Sequence, residues 1–343
     1  MKIYFIVIAI ISAILFGVST PLSKYLLTYF NEFQLAGLLY IGAACGTLPS
    51  IILKWKTEPL KIVDKKNTKY ILGSIGFGGI LGSVFLLFGL GYSQASSVSL
   101  WLNLELVATA ILGVIFFKDH LDRNTWIGII ITLCAGILLT YNEGNSGLIA
   151  IVFISMACIC WGLDNHFTAL IDGINANQIT FIKGVVAGFV NLMIGTAIGG
   201  HLPQYQIILG AVILGVFAYG ISIVLYIKSA QHLGATRSQV IFSSAPFFGF
   251  LSSWLILSEN IGIIQIITAL LMGIAIWIII KSSHNHRHIH NELTHIHVHT
   301  HDDEHHNHEH SGKSNIRHSH KHRHDKTKHE HPHFPDLHHR HEH

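Results

Sequence analysis

The sequence predicts an all-α integral membrane protein: ten transmembrane helices in two inverted five-helix repeats, followed by a disordered His-rich tail. Three observations carry this reading. Residues 1–281 are a succession of apolar runs close to the roughly 18–20 residues that a spanning helix needs. Short stretches of the first half recur in the second. From Ser282 to His343 the chain turns polar, and 23 of its 27 histidines lie there. Half of the 343 residues are hydrophobic and 12% are charged, with a mean hydropathy of +0.47; these averages conceal the split.

The candidate spans are 3–22, 33–53, 70–92, 96–117, 125–141, 147–170, 178–199, 206–228, 236–257 and 261–280. The first follows Lys2 and has the outline of a secretory signal. No small-x-small cleavage site follows it, however, and the apolar pattern continues through Pro21 to Leu27, so it reads as a spanning helix. The third span carries Gly73, Gly76, Gly78, Gly79 and Gly82. A dinucleotide-binding reading of these needs a strand, a loop and a later acid, all missing here, whereas close helix–helix packing accounts for them. Cys45, Cys134, Cys158 and Cys160 sit in apolar runs without the spacing of a metal finger or a disulfide framework. Connections are short, as a helical bundle in lipid requires.

Basic residues set the expected orientation. Lys54, Lys56, Lys61, Lys65, Lys66 and Lys69 crowd the second loop, Lys118 and Arg123 flank the fourth, Lys228 and Arg237 flank the eighth, and Lys281 follows the last span. The odd-numbered loops hold almost none, Lys24 being the exception. The positive-inside rule then puts these loops, both termini and the tail in the cytoplasm, and the protein in the cytoplasmic membrane. The basic clusters lack interleaved aromatics and lie beside spans, which argues against a nucleic-acid partner. The expected partners are the lipid bilayer and a small-molecule or metal-ion substrate; a homodimer is compatible with the pattern.

Phe16-Gly17-Val-Ser-Thr-Pro-Leu-Ser-Lys24 in the first span parallels Trp161-Gly162-Leu-Asp-Asn-His-Phe-Thr-Ala169 in the sixth. Likewise Phe116-Phe-Lys-Asp119-His-Leu parallels Ile256-Leu-Ser-Glu259-Asn-Ile, an apolar helix ending at an acid with the next starting at once. Five spans per unit is an odd number, so the two halves insert in opposite senses, an arrangement that holds substrate near the midplane of many carriers. On these residues the chain resembles the EamA-type branch of the drug/metabolite transporter superfamily, whose ten helices arise from two five-helix repeats. The resemblance covers residues 1–281: a first repeat over 1–141 and a second over 147–281, with 282–343 as the added tail. It implies a secondary carrier, without choosing among amino acids, metabolites and drugs. One departure stands out. The family's proline in the fourth helix of each repeat is matched by Pro246, but Leu106, preceded by Glu105, occupies the other site.

Several polar groups interrupt the apolar runs. Asp164, Asn165 and His166 lie in a stretch of apolar residues that begins near Gly147, and burying an aspartate there is costly unless it is paired or wetted. Asn103 and Glu105 lie near the middle of the fourth span. A carboxyl at that depth resists ionisation unless a cation is near, which suits a proton-coupling site; the alternative is a protonated glutamate bonded to a neighbouring helix. Asp164 precedes and Lys183 follows the turn at about 172–177 by similar distances, which places them at similar depth and makes an ion pair attractive. Lys183 could instead snorkel to the interface. His166 follows Asp164 by two positions and points elsewhere, so the two are not expected to share a metal. Lys24 sits near the outer end of the first span, with snorkelling or a substrate role open. Trp101, Trp161 and Trp254 suit either a cavity wall or plain aromatic packing.

The tail alternates histidine with other residues: His284, His286, His288 and His290, then His295, His297, His299 and His301, with His305, His306, His308 and His310 beyond. Neutral imidazole suits Zn, Ni, Co and Cu, and Asp302, Asp303 and Glu304 add oxygen ligands, so binding of Zn, Ni or Co at the tail is expected although no cofactor is required. A purification tag would be a compact histidine run, which this is not.

No nucleophile-and-base arrangement or phosphate loop is visible, so no enzyme is expected. The leading expectation is a carrier of a small organic solute working by alternating access, an exporter coupled to an ion or proton gradient. Glu105, Asp164 and Lys183 would lie near its centre, with Asn103, Asn165, His166, Trp161 and Lys24 lining or bracing the path. Its rivals are a divalent transition-metal carrier loaded or gated by the tail, and a membrane-anchored metal store or sensor without flux.

Overall fold

The computed structural model describes the backbone of residues 2–54, 65–117, 121–171, 174–233, 238, 241–281, 284–290, 293–299, 318–324 and 327–333. Among the described residues up to Lys281 every regular element is helical: α1 Lys2–Gly17, α2 Ser19–Leu26, α3 Glu32–Lys54, α4 Lys65–Gly73, a π-helical segment Ser74–Gly82, α5 Ser83–Tyr92, α6 Ala95–Trp101, α7 Leu104–Phe117, α8 Arg123–Ala169, α9 Ala176–Ile198, α10 Tyr205–Gly215, a second π-helical segment Val216–Ile221, α11 Ser222–Leu233, α12 Ala245–Leu257 and α13 Ile263–Lys281. Among the described residues seven helices are long and apolar enough to cross a bilayer, and α12 and α13 supply two shorter apolar ones.

The breaks within the expected spans have identifiable causes. Pro21 cannot donate to Gly17, four residues earlier, and its ring crowds that carbonyl; the helix accordingly breaks between α1 and α2, and the span runs on to Leu26. Between α6 and α7 no proline is present. Here the backbone tightens into three-residue steps, Asn103 N–H to Leu100 O and Glu105 N–H to Leu102 O, while the Asn103 side chain donates to Leu100 O at 2.8 Å. Spans expected as separate 125–141 and 147–170 helices run together in α8, 47 residues long. At 1.5 Å per residue that is about 70 Å, roughly twice a bilayer core. The departure from helix falls at Gly144, with φ 68° and ψ −146°, a conformation that a side chain would forbid.

Caps secure the ends. The carboxylate of Asp122 accepts the N–H groups of Asn124 and Thr125 at 3.1 Å at the start of α8, and Asn175 accepts that of Asn177 at 2.9 Å at the start of α9. Helices meet through small residues: a Cβ on Gly184 or Gly188 of α9 would collide with the α3 backbone at Tyr40–Ala44 or Ile41. Association in lipid depends on such close approach. The outward face is apolar, with residues such as Ile130, Ile137, Leu255 and Trp254 exposed over a surface far larger than a water-soluble fold tolerates.

The remaining regular elements among the described residues lie in the tail. Its described backbone forms four seven-residue strands, β1 His284–His290, β2 Leu293–His299, β3 His318–His324 and β4 Thr327–His333. β1 pairs with β4 and β2 with β3, both antiparallel. Alternation with period two is the pattern of an extended strand.

Candidate functional site

The polar residues of α8 meet three different neighbours. Asp164 turns toward the π-helical segment and α9. Its carboxylate accepts the Lys183 ammonium at 2.7 Å on both oxygens, the Ser74 hydroxyl at 2.5 Å and the Thr168 hydroxyl at 3.1 Å. Both side chains of the ion pair are about six-sevenths buried, at 15% exposure for Lys183 and 14% for Asp164. The pairing expected from their matched depth is therefore present, and two hydroxyls occupy lone pairs that lysine leaves open. This is the condition under which a charge pair in hydrocarbon is tolerable.

The glycines of 73–82 are what let α8 and α9 come this close. A Cβ on Gly78 would run into the Asp164 carboxylate, one on Gly82 into the Trp161 indole, one on Gly73 into the Phe167 ring, and one on Gly79 into Ala187 and the Lys183 stem. The carbonyl of Gly78 accepts the Trp161 indole N–H at 3.2 Å and the Tyr40 hydroxyl at 2.9 Å. Trp161 is thus a buried brace of the π-helical turn, where the sequence allowed a cavity wall.

Asn165, next along α8, points to α7. Its amide donates to Glu105 Oε1 at 3.1 Å and to the Thr109 hydroxyl at 3.4 Å. Asn165 is exposed and Glu105 half-buried. His166 is buried and bonds the Thr109 carbonyl through Nε2 at 3.1 Å, which ties α8 to α7. Asn103 is buried against Met272 of α13, away from Glu105. Its Oδ1 has no hydrogen-bond partner among the described residues.

Lys24 belongs to a second cluster, at the end of the bundle opposite the N-terminus. Its ammonium donates to the carbonyls of Leu90 at 2.5 Å, Ser93 at 3.0 Å and Gly91 at 3.3 Å. The corner between α5 and α6 collects further partners. Glu259 accepts the Ala95 and Ser96 N–H groups at 2.8 and 2.9 Å, and Glu143 accepts the hydroxyls of Ser93 at 3.0 Å and Ser97 at 2.5 Å. Gln265 donates to Gln94, Ser96 and Ser97. Sequence reasoning singled out Lys24 and Glu259 but missed Glu143 and Gln265. Glu143 stands just before the glycine break in α8, a position whose sequence context marks only a turn.

The two ends of the bundle differ in packing. At the Glu259 end α6 packs on α12 and α2. Toward the N-terminal end α1 packs on α11 and α12, whereas α7 packs on α8. Among the described residues α7 makes no extended contact with α1 or α11. A groove beside Phe247, Phe250 and Trp277 is lined by apolar atoms. Among the described residues no group of three or more His, Cys, Asp or Glu side chains could hold a metal ion. The side chains of His284, His286, His288, His290, His295, His297 and His299, the whole of His301, His305, His306, His308 and His310, and Asp119 lie outside the described residues.

Comparison with known proteins bears on this geometry. The model of the EamA-like transporter family matches residues 3–141 and 148–281. An uncharacterized transporter of Methanothermobacter thermautotrophicus is 25% identical over 79% of this chain and 85% of its own length. The uncharacterized transporter YyaM of Bacillus subtilis is 24% identical over 75% and 87%. Undecaprenyl-diphosphatase 1 of Pseudoalteromonas translucida is 23% identical over 54% of this chain and 82% of its own. A solved crystal structure superposes with a TM-score of 0.61 at 12% identity, covering 81% of this chain and 98% of the other, a likeness of fold.

Proposed function

The chain belongs to the EamA-like transporter family, a multi-pass membrane protein, and on that premise we propose that it carries a small organic solute across the cytoplasmic membrane by alternating access. The observation that supports this best is the asymmetry between the ends: a polar seal of Lys24, Glu143, Glu259 and Gln265 at one, and at the other, which we read as the open mouth, an α7 that makes no extended contact with α1 or α11 among the described residues. A carrier caught in one state has one open and one closed mouth. Taking Gly144 as the turn between two crossings and α12 and α13 as the last two gives ten crossings, which with the two matched segments fits inverted five-helix repeats. The basic loops support a cytoplasmic position for the open mouth. Glu105 is the coupling candidate, an acid within the fourth span able to take up and release a proton, and the reading is of export driven by proton entry.

Spin labels test the alternation without knowledge of the substrate. In a variant lacking the four native cysteines, labels at Phe116 and Lys228 span the open mouth, and labels at Tyr92 and Ser258 span the seal. The expected distance distributions each hold two populations, and conditions that shorten one pair lengthen the other. A single fixed distance for both pairs overturns alternating access.

A second reading, handling of a divalent transition metal, draws on the tail. The strand register sets His284, His286 and His288 opposite His333, His331 and His329, and His295, His297 and His299 opposite His322, His320 and His318. Rows of facing histidines suit Zn, Ni or Co, either as a loading device for a metal carrier or as a store without flux. Equilibrium dialysis of full-length protein against Zn is expected to give several bound ions per chain, nearly all lost on deleting 282–343. Unchanged binding in the deletion removes the tail from consideration.

A further inference from the structure

The paired strands of the tail lack what ordinarily holds such a ribbon together. β1–β4 and β2–β3 are each two-stranded, and a lone strand pair is marginal in water without an apolar face to bury. Residues alternate between the two faces along a strand. One face of each ribbon is mixed: it carries Arg287 opposite Glu330 and Thr294 opposite Arg323, and its apolar members Ile289, Ile296 and Val298 each stand opposite a lysine or a serine. The other face is histidine at all but one position in each ribbon, with three facing pairs in each. Residues 291–326 separate β1 from β4, so closing the outer ribbon also costs chain entropy.

The spacing of those pairs suits one metal ion. Directly opposite residues have Cβ atoms about 4.5–5.5 Å apart, and successive residues of one face lie roughly 7 Å apart along the strand. Two consecutive facing pairs therefore place four histidines at the corners of a small square, the ligand number of a closed tetrahedral zinc site. Every pair joins two strands, so ligation by two pairs closes the ribbon, and a site absent from the unpaired chain turns binding free energy into folding free energy. We propose that a divalent transition metal, Zn foremost, is the clasp of both ribbons. One ion sits at His286 and His331 with a neighbouring pair in the first, and one at His297 and His320 with a neighbouring pair in the second. This rests on the metal-handling reading of the tail and names the sites and their effect on the chain. His284 follows Lys281 by three residues, at most about 11 Å of chain, which holds the first clasp beside the end of α13.

The test is titration of full-length protein in detergent with Zn against a chromophoric chelator. About two tightly bound ions per chain are expected. Replacing His284, His286 and His288 with Asn should remove one of them. Replacing His329, His331 and His333 should remove the same one, and all six changes together should remove no more. Replacing His305, His306, His308 and His310, which lie outside both strand pairs, should leave both. Nitroxides at positions 289 and 328, register partners on the mixed face, should show dipolar broadening with Zn and lose it with EDTA. Losses that add in the six-site variant, or that follow histidine number wherever the changes fall, overturn the clasp. So does Zn binding with the labels still apart, or label proximity that EDTA leaves unchanged. In all of these the tail still binds Zn, and the metal-handling reading stands. No tight Zn, or binding undiminished on deleting 282–343, removes both.

Discussion

Lys183→Ala lowers the unfolding free energy by about 3–5 kcal/mol, the cost of leaving a buried charge without its partner. Asp164 would keep the Ser74 and Thr168 hydroxyls but lose the ammonium that both its oxygens contact at 2.7 Å. Water reaches this place poorly, since each partner is about six-sevenths buried. The shape of the site leaves no easy relief: Gly78 already lies against the carboxylate with no room for a Cβ. Removing both charges with Asp164→Leu and Lys183→Met is expected to restore most of the loss, because a buried ion pair contributes little net stability beside an apolar pair. Urea or thermal denaturation of the detergent-solubilised protein, carried out on both single variants and the double, gives the coupling directly. A single-variant loss below about 1 kcal/mol, typical of a wetted surface pair, would mean that the pair is open to water.

How much of this could be read from the residues depended on whether the cause was local. The Asp164–Lys183 pair was legible because depth along a helix is simple arithmetic from the turn between them, and two opposite charges at one depth in hydrocarbon have few alternatives. The glycines from Gly73 to Gly82 announced close packing, but not that Asp164, Trp161 and Phe167 are what they admit, because that needs the relative rotation of two helices. The break between α6 and α7 was obscured for a chemical reason. Proline is the conspicuous breaker, and with Leu106 in its place the signal was Asn103, whose side chain caps Leu100 O and permits tight backbone steps. Asn103, which read as lining or bracing the path, packs on Met272. Lys24 was misleading in the same way. An ammonium near a helix end ordinarily snorkels, and nothing nearby in sequence reveals three carbonyls from the end of α5 waiting for it. The tail's alternation was plain, while its pairing across an intervening stretch of chain was not.

Glu259→Ala is expected to move the protein toward the state in which this end is open, by the free energy of the contacts it deletes. The carboxylate accepts two N–H groups, from Ala95 and Ser96, at the first turn of α6, and it joins the α12–α13 connection to the α5–α6 corner. Bonds to a charged group are worth about 1.5–3 kcal/mol each when broken, although N–H groups freed at an opening mouth recover part of this from water. A net loss of about 1.5–3 kcal/mol shifts a two-state equilibrium roughly 10- to 100-fold. The remaining parts of the seal predict a graded series. Glu259→Gln keeps an acceptor oxygen and should shift the balance less. Lys24→Met releases three carbonyls but leaves Glu259 in place, and Glu143→Gln weakens only two hydroxyl contacts. Labels at Tyr92 and Ser258 should report a growing long-distance population in that order of disruption, with the Phe116–Lys228 pair contracting in step. If instead Glu259→Ala lowers thermal stability while both distance distributions stay as they were, the cluster is a fixed cap on α6, and the mouth that opens must be sought elsewhere on this face.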